Sequence, residues 1–267
     1  MTTARQTFIF QTALRLVAQA GMPVPLNTLL TSFSCSLAAF AAGCATTESI
    51  PTYPATQPST IVETIHARST SLRSATGKGA VTLNSPQRGS IRLEAAFVLQ
   101  PPDHARVRAW KFNQAVFDLT VKPEGAWLYS PRDPSAAAST STGNVGGGIR
   151  DWLTYLGSGV PAGSVVTHAS DTTVTLQSPD TRSGGTLTTT IDRPTRTVRQ
   201  YRLVDAAGVE RFTLSLGRYR ELSGTLWPTR IEAKAATGSM VVETDALEPD
   251  AASPAAFTPP ARAARLP

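Results

Sequence analysis

The sequence predicts a mainly-β protein: one large antiparallel sheet with two or so short helices. Three observations lead there. Apolar and polar residues alternate with period two through most of the chain from Gly79 onward. Tight-turn signals divide the alternating runs at short intervals. Helical spacing is confined to residues 60–73 and 149–156. A composition of 41% hydrophobic residues is enough for a real core.

Residues 29–42 are apolar over the length of a signal-peptide core, too short to span a bilayer. They end at Ala41-Ala42-Gly43, directly before Cys44. This run resembles the lipobox of bacterial lipoproteins, where a peptidase cuts before a cysteine that carries lipid. The resemblance implies a leader over residues 1–43 and lipidation of Cys44. Ala41 stands where lipoboxes most often carry leucine, and the other reading is an ordinary secreted protein cut after a small pair. Cys35 leaves with the leader, so no disulfide framework remains and stability must come from a core. Several acyl chains on one cysteine anchor firmly where a single chain holds only marginally. Ala45 replaces the aspartate that retains such proteins in the inner membrane of enteric-type bacteria. The expected location is therefore the periplasmic face of the outer membrane.

Residues 44–58 read as a lipid-anchored tether, rich in Thr, Pro and Ala and without periodicity. Ile61, Val62, Ile65 and Leu72 recur at near-helical spacing, with Ser59 or Thr60 as the cap. The main domain is expected over residues 59–246. Its strands begin with Ile91, Leu93, Ala95, Phe97 and Leu99 alternating with polar neighbours, closed by Pro101-Pro102-Asp103. Val107 and Ala109 follow, then Ala115, Phe117, Leu119 and Val121, then a turn at Glu124-Gly125 into residues 126–129. Residues 133–148 are a long Ala/Ser/Thr/Gly loop. Ile149, Trp152, Leu153 and Leu156 sit at i, i+3, i+4 and i+7, and Gly157 stops that helix. The meander then resumes to residue 244, giving ten to twelve strands. Residues 247–267 read as an Ala/Pro-rich tail, ordered in part.

Charge and motif exclude several functions. The formal net charge is +6, with two of those charges (Arg5 and Arg15) in the leader. The remaining arginines are spread along strands, which argues against a nucleic-acid partner. His66, His104 and His168 are far apart, and no cluster has metal-ligand spacing. Gly157-Ser158-Gly159 lacks the spacing of a nucleophile elbow. No enzyme, metal or cofactor is expected beyond the lipid on Cys44. Two short helices cannot cover so large a sheet. The apolar face is then either a closed core or a cavity for an acyl chain, with Leu93, Phe97, Leu99, Phe117, Leu119 and Leu128 as candidate lining.

With these elements laid out, the chain resembles the LolA/LolB superfamily of lipoprotein carriers and receptors, nearer to the LolB receptors, over roughly residues 61–246. The resemblance rests on the polar–glycine run at residues 75–80, the alternating basic run to Arg108, and the hairpin at residues 109–119. The tryptophan-bearing helix at 149–157 and Leu226-Trp227-Pro228 also match. It implies an incomplete antiparallel barrel with a helical lid over a hydrophobic cavity. Ile149, Trp152, Leu153 and Leu156 would be the lid, and Phe112 the membrane-facing hairpin tip. Lys111 and Asn113 flank Phe112 where LolB has proline and glycine, so the turn is expected to differ. The implied function is to hold acyl chains of lipoproteins or lipids, received from a soluble LolA-like carrier, and release them to the outer membrane. The alternatives are a scaffold lipoprotein with a filled core and an envelope hydrolase.

Overall fold

The computed structural model describes residues 50–69, 71–86, 89–131, 153, 155–157, 159–181, 183–236 and 238–266. The leader, Cys44, the loop from residue 133 to 148, Ile149 and Trp152 lie outside these residues.

Helix α1 is Pro58–Ser69. It starts earlier than the sequence predicts, because Pro58 fits the first turn, where its missing N–H costs nothing. Ile61 donates its N–H to Gln57 O at 3.3 Å. Ser59 and Thr60 therefore lie inside the helix and do not cap it. Ile61 and Ile65 are buried, and Leu72 is buried beyond the helix end.

The strands are β1 (Ala75–Ser85), β2 (Gly89–Gln100), β3 (His104–Lys111), β4 (Gln114–Lys122), β5 (Gly125–Tyr129), β6 (Val165–Ala169), β7 (Thr173–Asp180), β8 (Gly185–Asp192), β9 (Thr197–Val204), β10 (Glu210–Leu222), β11 (Thr225–Ala235), β12 (Gly238–Pro249) and β13 (Ala264–Arg265). They form one antiparallel sheet in the order β13-β5-β4-β3-β2-β1-β12-β11-β10-β9-β8-β7-β6. Two meanders, β1–β5 and β6–β12, join where β1 pairs with β12. The sheet stays open, with β13 and β6 as its edges.

Register explains the core. Phe97, Val107, Leu119 and Leu128 are successive cross-strand partners, as are Leu93, Val81, Val242 and Ile231. Each set points to one side of the pleat. On the second meander Leu176, Thr189, Tyr201 and Leu214 continue that face. It packs with Ile61, Ile65 and Val160 into one cluster. Full burial of a side chain such as Leu83 or Leu93 contributes about 1.5–3 kcal/mol. The opposite face carries ion pairs such as Arg92–Glu243 at 2.8 Å and Arg230–Glu243 at 2.7 Å.

The glycine run at residues 75–80 has a steric reason. At Gly79, beside a bulge, a Cβ would lie 2.0 Å from the Glu243 carbonyl oxygen. Pro228 sits in β11 opposite Tyr219 of β10, before pairing with β12 begins at Arg230.

Two expectations differ from what is observed. Ala115 is exposed and Val116 buried, because a register shift at Ala109/Trp110 resets the alternation in β4. The Ala/Pro-rich stretch from Leu247 is built into the domain. Leu247 and Pro249 pair with Gly77 and Ala75, a 3₁₀ turn covers Pro254–Phe257, and β13 pairs with β5. This segment covers the outer side of β3 and β4. Phe257 is buried edge-on to His104 at 5.3 Å, and Ala256 O accepts from Arg106 Nη1 at 2.9 Å. Beneath it Asp118 accepts from Arg106 Nε and Nη2 at 2.9 and 2.8 Å.

Candidate functional site

All six candidate lining residues share the inner face. Leu93, Phe97, Phe117 and Leu128 are buried in the main core cluster, with Leu119 half-buried against it. Leu99 packs beside the second cluster of Leu72, Ala75, Leu222 and Trp227. These residues fill space in the described structure.

Pockets among the described residues lie elsewhere, one of them at the surface around Ala55, Thr56, Thr60 and Arg193. A pocket of about 50 Å³ lies between α1, Leu156, Gly157, Gly159 and the neighbouring parts of β9–β11. Ile65, Leu156, Val198, Leu216 and Trp227 give it an apolar wall, and Arg68, Arg196, Tyr219 and Thr225 a polar one. That is room for a few waters, since one needs about 10–15 Å³. Ligand pockets run to roughly 300–1,000 Å³.

Leu156, Gly157 and Gly159 cover this space. Of the expected lid residues, Leu153 and Leu156 are half-buried against the core. Tyr155 stacks on Tyr201 at 5.6 Å and on Phe212 at 6.3 Å. The Tyr201 hydroxyl, on a fully buried side chain, reaches Tyr155 O at 2.7 Å and also Gly159 O. Burial pushes this phenol well above its ordinary pKa, so it remains a protonated donor. Gly159 N–H returns to Tyr155 O at 3.1 Å. Gly157 presses on the β2–β3 turn, where a Cβ would lie 2.7 Å from Pro102 Cα. Gly159 has φ +71° and presses on Ile65 of α1. Thus β9, the β2–β3 turn and α1 each hold the cover at one point. Sequence reading found Gly157 but not Tyr201, whose period-two position marks it only as core.

Phe112 stands at the tip of the β3–β4 hairpin, 87% exposed. Phe112 and Asn113 have φ values of 50° and 61°, the signature of a two-residue primed turn that favours Asn-Gly. A bulky side chain is rare there and costs free energy. Lys111 Nζ lies 5.4 Å from the ring centroid. An exposed aromatic held in a strained turn is a feature that folding alone would not select.

Among the described residues, no group of three or more His, Cys, Asp or Glu side chains could hold a metal ion. No helix among them is long and apolar enough to cross a membrane.

No protein-family profile matches the sequence, and no curated protein does. Solved structures do resemble it. A LolA-superfamily protein from Nitrosomonas europaea superposes with a TM-score of 0.53 at 13% identity, covering 77% of this chain and 99% of that one. The fold is LolA-like. A DUF1329-family protein from Desulfovibrio piger gives 0.55 at 11% identity, over 76% of this chain and 98% of that one. An outer-membrane lipoprotein-sorting protein domain from Vibrio parahaemolyticus is also similar, at 0.46 and 12% identity, over 74% and 95%. The first two carry the assignment. The LolA-like sheet here is an open one of thirteen strands among the described residues.

Proposed function

We propose that this chain is a lipid-anchored envelope protein that takes acyl chains under the cover of its LolA-like sheet and releases them to the outer membrane. The observation that carries this reading is the inner face: continuous, apolar, and closed over β9–β11 by a short segment with few polar ties. At rest the pocket is too small for a chain, so binding requires residues 155–160 to lift. Each methylene buried contributes about 0.8 kcal/mol, so a dozen contribute about 10 kcal/mol. Breaking the Tyr201 hydrogen bonds costs about 1–2 kcal/mol, and re-exposing the cover's apolar side chains a few more. Burial therefore outweighs opening without any covalent chemistry. Lipid on Cys44 would keep the domain at the membrane, a soluble LolA-like carrier would deliver cargo, and Phe112 would enter the bilayer at release.

Native mass spectrometry of the chain from Ala45, purified mildly from a bacterial host, tests the reading. Co-purified acyl lipid that is lost in Leu216→Asp, with the fold retained by circular dichroism, is the expected result. A bare mass that also refuses added acyl ligands would sink it.

The packed interior favours one other reading, a scaffold lipoprotein whose inner face never opens. It predicts that bare mass.

A further inference from the structure

The polar wall of the pocket carries two arginines, Arg68 and Arg196, that meet no carboxylate among the described residues. Arg92, Arg106, Arg199, Arg202 and Arg211 each have a carboxylate within ion-pair distance. Arg68 and Arg196 have none among the described residues. Arg68 donates from Nη2 to the Tyr53 hydroxyl at 2.6 Å, and its Nη1 is buried without an acceptor. Arg196 donates weakly from Nη1 to Thr64 Oγ1 at 3.5 Å, and its Nε is buried without an acceptor. Both guanidiniums lie over the one Tyr53 ring, at 5.0 and 4.5 Å. Two like charges are thus gathered on one aromatic ring beside one pocket, each with an unused buried donor. A buried charged donor without an acceptor is costly, and a bound anion removes that cost.

The local backbone holds this arrangement. Arg196 has φ +52°, unusual for a long side chain. Its turn is fixed by Asp192 Oδ2, which accepts from Thr195 N at 3.3 Å, and by Tyr53 N, which donates to Pro194 O at 2.8 Å. Arg68 is positioned from α1, where its own carbonyl accepts from Thr225 Oγ1 at 2.7 Å. The same pocket is apolar on its other wall, at Leu216, Val198 and Trp227.

We propose that Arg68 and Arg196 bind the anionic headgroup of a single-chain amphiphile, a carboxylate or a phosphate monoester, whose chain enters the apolar side of the pocket. This rests on the acyl-binding reading above and narrows it: the preferred cargo carries a negative charge next to its chain. Arginine suits both headgroups because its fork of donors matches paired oxygens.

The test uses the mature chain from Ala45, which lacks Cys44 and so carries no lipid. Titration calorimetry compares dodecanoate, dodecyl phosphate and 1-dodecanol at about pH 8, where carboxyls are ionised. The expected result is binding of at least one anion about tenfold or more tighter than the alcohol. Arg68→Gln and Arg196→Gln should each weaken anion binding about tenfold and leave the alcohol unchanged. Preference for dodecanoate indicates a fatty acid and preference for dodecyl phosphate a phospholipid-type headgroup, and either supports the proposal. Equal affinity for all three, or a preference that survives in the double variant, overturns it while acyl binding stands. Failure of every amphiphile to bind overturns the acyl-binding reading and this proposal with it. Thermal melts of the variants separate lost binding from lost folding.

Discussion

Replacing Tyr201 with Phe isolates the tie between sheet and cover. The ring is retained, so its stacking on Tyr155 at 5.6 Å and the core packing survive. Only the hydroxyl and its hydrogen bonds to Tyr155 O and Gly159 O are lost. Tyr155 O keeps the Gly159 N–H as a donor at 3.1 Å, so the unmet group is Gly159 O in a buried residue. One lost hydrogen bond with one buried carbonyl unpaired costs about 1–2 kcal/mol. For a domain of this size that lowers Tm by about 2–8 °C. The informative readout is local. If residues 155–160 open as a unit, amide exchange at Gly159 and Val160 should rise about tenfold, the equivalent of about 1.4 kcal/mol. Exchange in the middle of β2 and β8 should change far less under conditions where those strands exchange by their own openings. Hydrogen exchange with mass spectrometry reads both regions in one experiment. A uniform rise across the sheet, or no rise at 155–160, would refute the claim that Tyr201 latches a separable cover.

Other predictions follow from the same geometry. Phe112→Asn should stabilise the hairpin by about 1 kcal/mol by relieving the left-handed cost at the tip, read by chemical denaturation. Phe112→Glu should keep acyl binding but lose delivery to vesicles in a transfer assay, and normal delivery would exclude Phe112 as the membrane probe. Asp118→Ala should destabilise by about 3 kcal/mol, because it leaves Arg106 without its counter-ion beneath the C-terminal segment, and should raise exchange across residues 254–266. Glu243 is held below the ordinary glutamate range, chiefly by the hydrogen bond from Arg92. Its contribution is therefore complete above the unfolded carboxylate range and lost as pH falls through the lowered folded value. Glu243→Gln should cost stability at neutral pH, and its denaturation midpoint should converge with the parent's only as pH falls below the ordinary glutamate range and through the lowered folded value.

The features legible in the sequence are those that obey a period. Alternation at residues 91–99, 106–109 and 115–121 located β2, β3 and β4, with only Ala115 on the wrong face, and Pro101-Pro102-Asp103 located the turn between β2 and β3. What escaped has no period to read. A two-residue strand such as β13 carries no alternation, and its Ala/Pro surroundings resemble a tail. Arg68 and Arg196 lie in different elements and meet only because Tyr53 and the Pro194 turn bring the tether back against the sheet. The candidate lining failed to mark the pocket for a related reason. Period two identifies the inner face as a whole, and every residue on it carries the same signal. Which part of the face is tightly filled depends on the pieces laid over it: α1 and residues 155–160.

The direction of transfer can be argued from that cover. Moving an acyl chain from a protein interior to a bilayer leaves it buried in both places, so its hydrophobic free energy changes little. The difference then lies in the protein, which recovers the Tyr201 hydrogen bonds and the packing of Tyr155 and Leu156 as residues 155–160 close behind the departing chain. A strong latch favours release and a weak one favours retention. Tyr201→Phe should therefore hold acyl cargo about tenfold more tightly than the parent, shifting its partition away from vesicles by the 1–2 kcal/mol that closure no longer returns. Partition of a fluorescent fatty acid between the two proteins and neutral vesicles measures this directly. Equal partition for parent and variant would mean that the cover does not move when cargo leaves, and the scaffold reading would gain what the carrier reading lost.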